Sequence, residues 1–314
     1  GVEFAFGEGG PGFLPGSAWN EMRREALDKL LQKRSEPAPL ATKEITLPEY
    51  AEHEVGMIPR LAARFETAAQ LPGAEYLAKL RYLILPIREA DAVPQPLRCK
   101  TLLELPRAAF GTVEPDTMRR LAALEGSDFA GVVANNLAQF GYASPLPVFG
   151  GLGLNVTNPM SAAEYVCLGA RGLLVQPETA LTAMRAVAPR QKDGTPVPTA
   201  ALCYGHLPLM LTRACPLRNV RTSCAGCTHK GKLRDRKGRD FPVRCSAPGS
   251  AGMRTVFNPV PLYMGDRLTE MPVDLAVAAF TLEPADRVEE VLTHLFHQQP
   301  FDGEFTRGLY YTNN

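Results

Sequence analysis

The sequence predicts an α/β protein built as a β/α (TIM-like) barrel. Three observations carry that expectation. From Ile45 onward, short β-forming runs alternate with helical stretches at roughly 20–30 residues per unit, which implies parallel strands joined by right-handed crossovers. Eight or nine strand candidates fall within about 240 residues, which suits a closed barrel better than its rival, a doubly wound open sheet. Three helical stretches open on Pro115, Pro159 and Pro284, where the missing N–H would bond nothing in the first turn.

The elements follow in chain order. Residues 1–42 differ from the rest and read as the tail of a preceding domain with a linker. Val2-Glu3-Phe4-Ala5-Phe6 alternates like a strand, and Gly7-Glu8-Gly9-Gly10-Pro11-Gly12 follows. That glycine run matches a dinucleotide fingerprint, but Phe13-Leu14-Pro15 separates it from the next helix, so it reads as a turn. A helix over 17–33, with Ser17 as N-cap, places Trp19, Met22, Ala26, Leu27, Leu30 and Leu31 on one packing side. Ser35-Glu36-Pro37-Ala38-Pro39 breaks regular structure. Within 43–314, strands are expected at 61–65, 82–85, 99–105, 129–134, 147–149, 172–175 and 199–203, with further candidates at 255–257 and 273–281. Helices are expected at 115–124, 159–168, 178–187 and 284–297. Gly150-Gly151-Leu152-Gly153 follows a strand; it is a bend, or bare backbone able to approach a phosphate or flat ring.

Composition narrows the class. The chain has 314 residues, 45% hydrophobic and 21% charged, ordinary for a globular protein and wrong for a largely disordered one. Its 27 glycines and 28 prolines favour short elements and many turns. Lys plus Arg is 34 against 33 for Asp plus Glu, so whole-chain charge selects no partner. No apolar run reaches the ~18 residues of a membrane span, and no signal-peptide pattern opens the chain. The expected location is cytoplasmic. Gly1 in place of Met makes a piece of a longer protein the expectation.

Seven cysteines are too few for a disulfide scaffold at this length. Cys99, Cys167 and Cys203 stand singly in apolar surroundings and are expected to be buried. Cys215-x8-Cys224-x2-Cys227-x17-Cys245 is different. A C-x2-C hook can aim two sulfurs at one metal, and two distant cysteines can complete the set. Soft thiolates select zinc or an iron–sulfur cluster, with His229 as a substitute ligand. The four sulfurs are expected to converge, and 235–238 to turn a hairpin between Cys227 and Cys245. Segment 212–245 carries ten Lys or Arg against two Asp. That charge favours thiolates and offers an RNA-binding surface, or is a solvated loop.

Several motifs together resemble the collagenase-like U-thirty-two peptidase family. They are Tyr204-Gly205-His206-Leu207-Pro208-Leu209-Met210, Arg213-Ala214-Cys215-Pro216, Cys224-Ala225-Gly226-Cys227 and the run from Asp235 to Cys245. Leu154-Asn155-Val156-Thr157-Asn158 and Gln176-Pro177-Glu178 resemble its strand end and turn, and Phe13-Leu14-Pro15 with the helix after it resembles the extra domain of longer members. The family name implies a peptidase attacking collagen, although no Ser/His/Asp, Cys/His or H-E-x-x-H set stands in the sequence. Better understood relatives imply oxygen-independent hydroxylation of ribosomal RNA, transfer RNA or a ubiquinone precursor, with a four-iron, four-sulfur cluster and, for some, prephenate as hydroxyl source. This sequence departs from their C-x6-C and C-x3-C spacing, which leaves zinc beside the cluster. The resemblance is to the C-terminal part of longer members, so a missing N-terminal domain is an expected partner. A non-catalytic recognition or scaffold domain with structural zinc is the alternative.

Four residues are the catalytic candidates. Glu178 follows a strand and opens a helix; Asn155 lies at a strand end; His206 and Arg213 flank the approach to Cys215 and could hold an anionic substrate. Asn135 and Asn158 share Asn155's position, as substrate contacts or turn formers. If the barrel is right, Glu178 and Asn155 lie on one rim.

Overall fold

Residues 13–37, 51–54, 56–142, 144–217, 224, 226–246 and 252–312 are described in a computed structural model, which divides into two units, 1–49 and 50–314. The expected strand at 2–6 and the glycine run at 7–12 lie outside the described residues. In the first unit, α1 (Gly16–Ser35) has Pro15 at its N-cap, so Ser17 sits inside the first turn instead of capping it. No residue of α1 is buried, and Trp19 is exposed, contrary to its expected packing role.

The second unit opens with β1 (Arg60–Phe65), α2 (Ala74–Lys79), β2 (Tyr82–Pro86), α3 (Gln95–Arg98), β3 (Thr101–Glu104), α4 (Val113–Ala122) and β4 (Gly131–Ala134). It continues with β5 (Val148–Gly150), α5 (Pro159–Cys167), β6 (Leu173–Leu174), α6 (Leu181–Met184) and β7 (Thr199–Gly205). A four-strand excursion follows: β8 (Pro208–Thr212), β9 (Lys230–Arg234), β10 (Asp240–Cys245) and β11 (Arg254–Phe257). The chain returns through β12 (Leu262–Tyr263) to β13 (Leu275–Phe280) and α7 (Ala285–Phe296).

Eight parallel strands, β1 to β7 and β13, close into a barrel. β6 pairs with β7 at Leu173↔Thr199, and β13 closes on β1 from Arg60↔Leu275 to Phe65↔Phe280. Alternation along each strand separates two environments. Phe65, Leu83, Leu85 and Leu103 are wholly buried on the outer side of the strands. Val288, Val291, Leu292 and Leu295 form the buried stripe of α7, spaced at i, i+3, i+4 and i+7 as an amphipathic helix requires. Asn158 caps α5, its Oδ1 accepting from Ser161 N–H at 2.9 Å, and Pro159 takes the first turn as expected. Pro115, the third residue of α4, lies in its first turn as expected, and Pro284 is the cap residue of α7.

Three expectations need correction. The helix over 178–187 contracts to Leu181–Met184, because the backbone of 176–179 turns on a Thr179 N–H to Gln176 carbonyl bond of 3.0 Å. Strand 255–257 belongs to the excursion, not the barrel. Cys99 and Cys167 end short helices and are exposed; only Cys203 of the three is buried. Among the described residues, no helix is long and apolar enough to cross a membrane.

The excursion forms an antiparallel sheet in the order β8-β11-β10-β9. Its hairpin turns where expected. Gly238 has φ 78°, and the Asp235 carboxylate accepts from the N–H groups of Lys237 and Arg239 at 2.8 and 2.9 Å. That Asx-type bonding and the left-handed glycine account for the turn.

Candidate functional site

Parallel barrels build their ligand sites where the strands end. Here the C-terminal ends of β1 and β3 carry Arg64 and Glu104 into the barrel, each interrupting an apolar run. Arg64 donates from Nε and Nη2 to Glu104 Oε2 at 3.0 and 2.8 Å, and from Nη1 to Glu66 Oε2 at 2.6 Å. Arg88 donates to the other oxygen of Glu66. Asn135, at the end of β4, sends its amide to the Leu105 carbonyl at 2.9 Å and toward Glu104 at 3.4 Å. Arg64, Glu66, Arg88 and Glu104 wall a cavity of about 640 Å³.

Charge in this mouth does not balance. Of the charged residues that line it, Arg64, Arg88, Arg107 and Arg120 face Glu66, Glu104 and Asp116, leaving one positive charge over. Arg244 comes from β10 and donates to the Thr281 carbonyl, so the excursion sheet delivers a cation to the barrel. Burial, with Arg64 close by, weakens the hold of Arg107 and Arg244 on their protons; Glu104 and Glu66 only partly oppose it. For Glu66 the balance runs the other way. Burial would push its carboxyl up, but Arg64 and Arg88 outweigh this and hold it at about 2 instead of 4.5.

The sign of that shift gives a test. A carboxylate with a depressed folded pKa contributes stability that is complete above its unfolded value and lost as pH falls toward its folded one. The window for Glu66 runs from about 4.5 down to about 2. The stability gap between the wild type and Glu66→Gln, followed by urea denaturation across that window, is expected to close as pH falls. A gap that widens with acid refutes the assignment.

The four catalytic candidates take separate places. His206 ends β7 and lines the cavity. Its Nδ1 lies 2.7 Å from the Asn258 carbonyl, which can only accept, so Nδ1 carries hydrogen. Asn155 and Glu178 follow adjacent strands and share one rim, but neither lines the cavity. Asn155 adopts the left-handed conformation at φ 54° and accepts from the Gln176 amide; Glu178 is exposed. Arg213 lies outside the cavity, its guanidinium 4.6 Å from the centre of the Phe110 ring. Asn135 serves the loop after β5, accepting from Gly153 N–H at 3.1 Å.

The cysteines come to one end of the excursion sheet. Thr212, Arg254 and Cys245 stand side by side across β8, β11 and β10, and Cys245 N–H donates to the His229 carbonyl at 2.9 Å. Cys215 follows β8 and Cys227 precedes β9 at that same end. Cys224 and Cys227 share a tight turn closed by a 3.1 Å backbone bond, with Gly226 at φ 66°. His229 N–H donates to Cys227 Sγ at 3.4 Å. Among the described residues, no three His, Cys, Asp or Glu are placed to hold a metal.

Register also tells which face this loop covers. A Cβ on Gly231 would lie 2.3 Å from Leu217, so Leu217 rests on that residue. Gly231, Val243 and Val256 form one row across the sheet, and Leu211, Thr255 and Arg244 the adjacent row. Adjacent rows point to opposite faces, and Leu211 and Thr255 line the cavity. Leu217 therefore covers the face turned away from the barrel.

No family model matches this chain, and no curated protein matches it. Among solved structures, the chain is similar to a U32 peptidase. That protein, Mk0906, superposes with a TM-score of 0.40 at 12% identity, over 77% of this chain and 100% of its own. The spore cortex-lytic enzyme SleL of Bacillus megaterium QM B1551 gives 0.29 at 11%, over 81% of this chain and 78% of that one. SleL of Bacillus cereus gives 0.32 at 9%, over 83% and 78%.

The mouth residues Arg64, Glu66, Arg88, Glu104, Arg107 and Arg244 were not candidates from the sequence. A usable signal existed for two of them: a charged residue inside an otherwise apolar strand run, as in Arg60-Leu61-Ala62-Ala63-Arg64-Phe65 and Thr101-Leu102-Leu103-Glu104.

Proposed function

We propose that the chain is a U32-type barrel enzyme, or half of one, that takes an anionic substrate at the C-terminal rim. The observation that carries this reading is the surplus of one arginine charge among the residues that line the cavity. Arg107 there is short of a carboxylate partner, and a carboxylate or phosphate would supply what it lacks. His206 lines the same cavity and is the side chain this reading assigns to proton transfer with a bound substrate. Segment 212–245 would hold RNA phosphates above the mouth through its ten basic side chains, and oxygen-independent hydroxylation of RNA is the reaction this reading assigns.

Cys215, Cys224, Cys227 and Cys245 suit a soft metal group. They would hold a four-iron, four-sulfur cluster, which supplies electrons when bound, or a zinc ion. A second reading, recognition or scaffold domain with structural zinc, draws support from Leu217, just after Cys215, resting on the sheet face away from the cavity. Analysis of protein purified without oxygen separates the two. Four irons and four acid-labile sulfides per chain are expected, together with RNA binding that falls at least tenfold in Arg107→Ala/Arg244→Ala. Stoichiometric zinc without sulfide, and RNA binding indifferent to those arginines, favours the second reading.

A further inference from the structure

The cavity does not end at the charged rim. Eight-stranded barrels ordinarily fill their centre with layers of bulky side chains. Here three inward positions hold only alanine: Ala62 on β1, Ala200 on β7 and Ala279 on β13. The open space runs past them to Leu275 and Tyr82 at the far end of the strands. Leu275 and Thr281, which bound it along one strand, are about 20 Å apart at ~3.3 Å per residue, or about 16 Å along the axis at a tilt of ~36°.

The shaft and its mouth differ in chemistry. Below Arg64 and Glu104 the wall is aliphatic, as in Ile84, Leu102, Val133 and Val277, with Phe149 beside them. The one polar side-chain group at that depth is the Tyr82 hydroxyl, and it accepts from Arg81 at 3.3 Å, away from the lining residues. Water in such a shaft would find few partners, whereas an alkyl chain would remove apolar wall from solvent. A ligand confined to the arginines would leave the shaft unused.

Resting on the anion site proposed above, we infer that the barrel takes an amphipathic anion: a carboxylate or phosphate head on Arg107 at the mouth, and an unbranched apolar tail down the shaft. Head and tail contribute separately, so they can be tested separately by calorimetric titration of the full chain with octanoate, octyl phosphate, acetate and octanol. Octanoate or octyl phosphate is expected to bind at least tenfold more tightly than acetate and than octanol; the stronger of the two identifies the head. Ala200→Leu, which narrows the shaft, is expected to weaken octanoate at least tenfold more than acetate, with Ala62→Leu as the substitute variant should the first not fold. Arg107→Ala is expected to weaken octanoate and acetate alike. Equal affinity for octanoate and acetate overturns the tail assignment and leaves the anion site standing. Equal affinity for octanol and octanoate overturns the head assignment. Failure of all four probes to bind overturns the inference and the anion site together.

Discussion

Glu66→Ala is expected to lower the free energy of unfolding by about 3–5 kcal/mol, the usual cost of removing one partner from a buried ion pair. Two arginines converge on this carboxylate: Arg64 at 2.6 Å and Arg88 on the opposite oxygen. Removing it leaves Arg88 without its main partner and Arg64 with Glu104 alone, inside a mouth that already carries surplus positive charge. Replacement by glutamine keeps the shape but not the charge and should cost less. Urea denaturation of both variants at neutral pH supplies the comparison. A loss under about 1 kcal/mol for the alanine variant, the range of exposed pairs, means the network is solvated and the mouth is not the low-dielectric site described above.

Gly153→Ala is expected to cost about 1–3 kcal/mol, the range for forcing atoms into a packed interior. A Cβ there would lie 2.0 Å from the backbone oxygen of Asn135. Backbone cannot step aside as a flexible side chain can, so the loop after β5 must move. That movement would also break the 3.1 Å bond from Gly153 N–H to Asn135 Oδ1 and displace Leu152, which lines the cavity. The variant should therefore lose both thermal stability and affinity for an anion at the rim. Unchanged melting in a scan of the purified variant refutes the packing argument. Gly141→Ala, where a Cβ meets nothing within 4 Å, is the matched control.

The same glycines illustrate what the sequence could and could not convey. Gly150-Gly151-Leu152-Gly153 reads in the sequence as a bend, or as bare backbone open to a phosphate or flat ring. The neighbour proved to be Asn135 and Val133 of the adjacent strand, and no local pattern encodes a partner that distant. The barrel itself was legible because short β-forming runs such as 61–65 and 199–203 alternate with helical stretches. Helix 178–187 was misread because its apolar spacing carries no information about the turn at Gln176 or about Leu181 N–H donating to the Tyr310 carbonyl at 2.9 Å. Arg244 was hidden most completely. It sits in a basic run and reaches the barrel only because the excursion sheet pairs in one register.

The seam between β1 and β13 has a consequence for how the chain acquires its shape. The two strands are near opposite ends of the second unit, and six residue pairs join them. A nascent chain that has reached β7 can pair its strands only as an open curved sheet, with the free flanks of β1 and β7 both unsatisfied. The whole excursion must then be made before β13 arrives to insert between those flanks, where it contacts each. Contacts so remote in sequence form slowly, and uncovered strand flanks invite pairing with other chains. Emergence of residues 275–280 is thus the event that ends this protein's exposure to misassembly during synthesis.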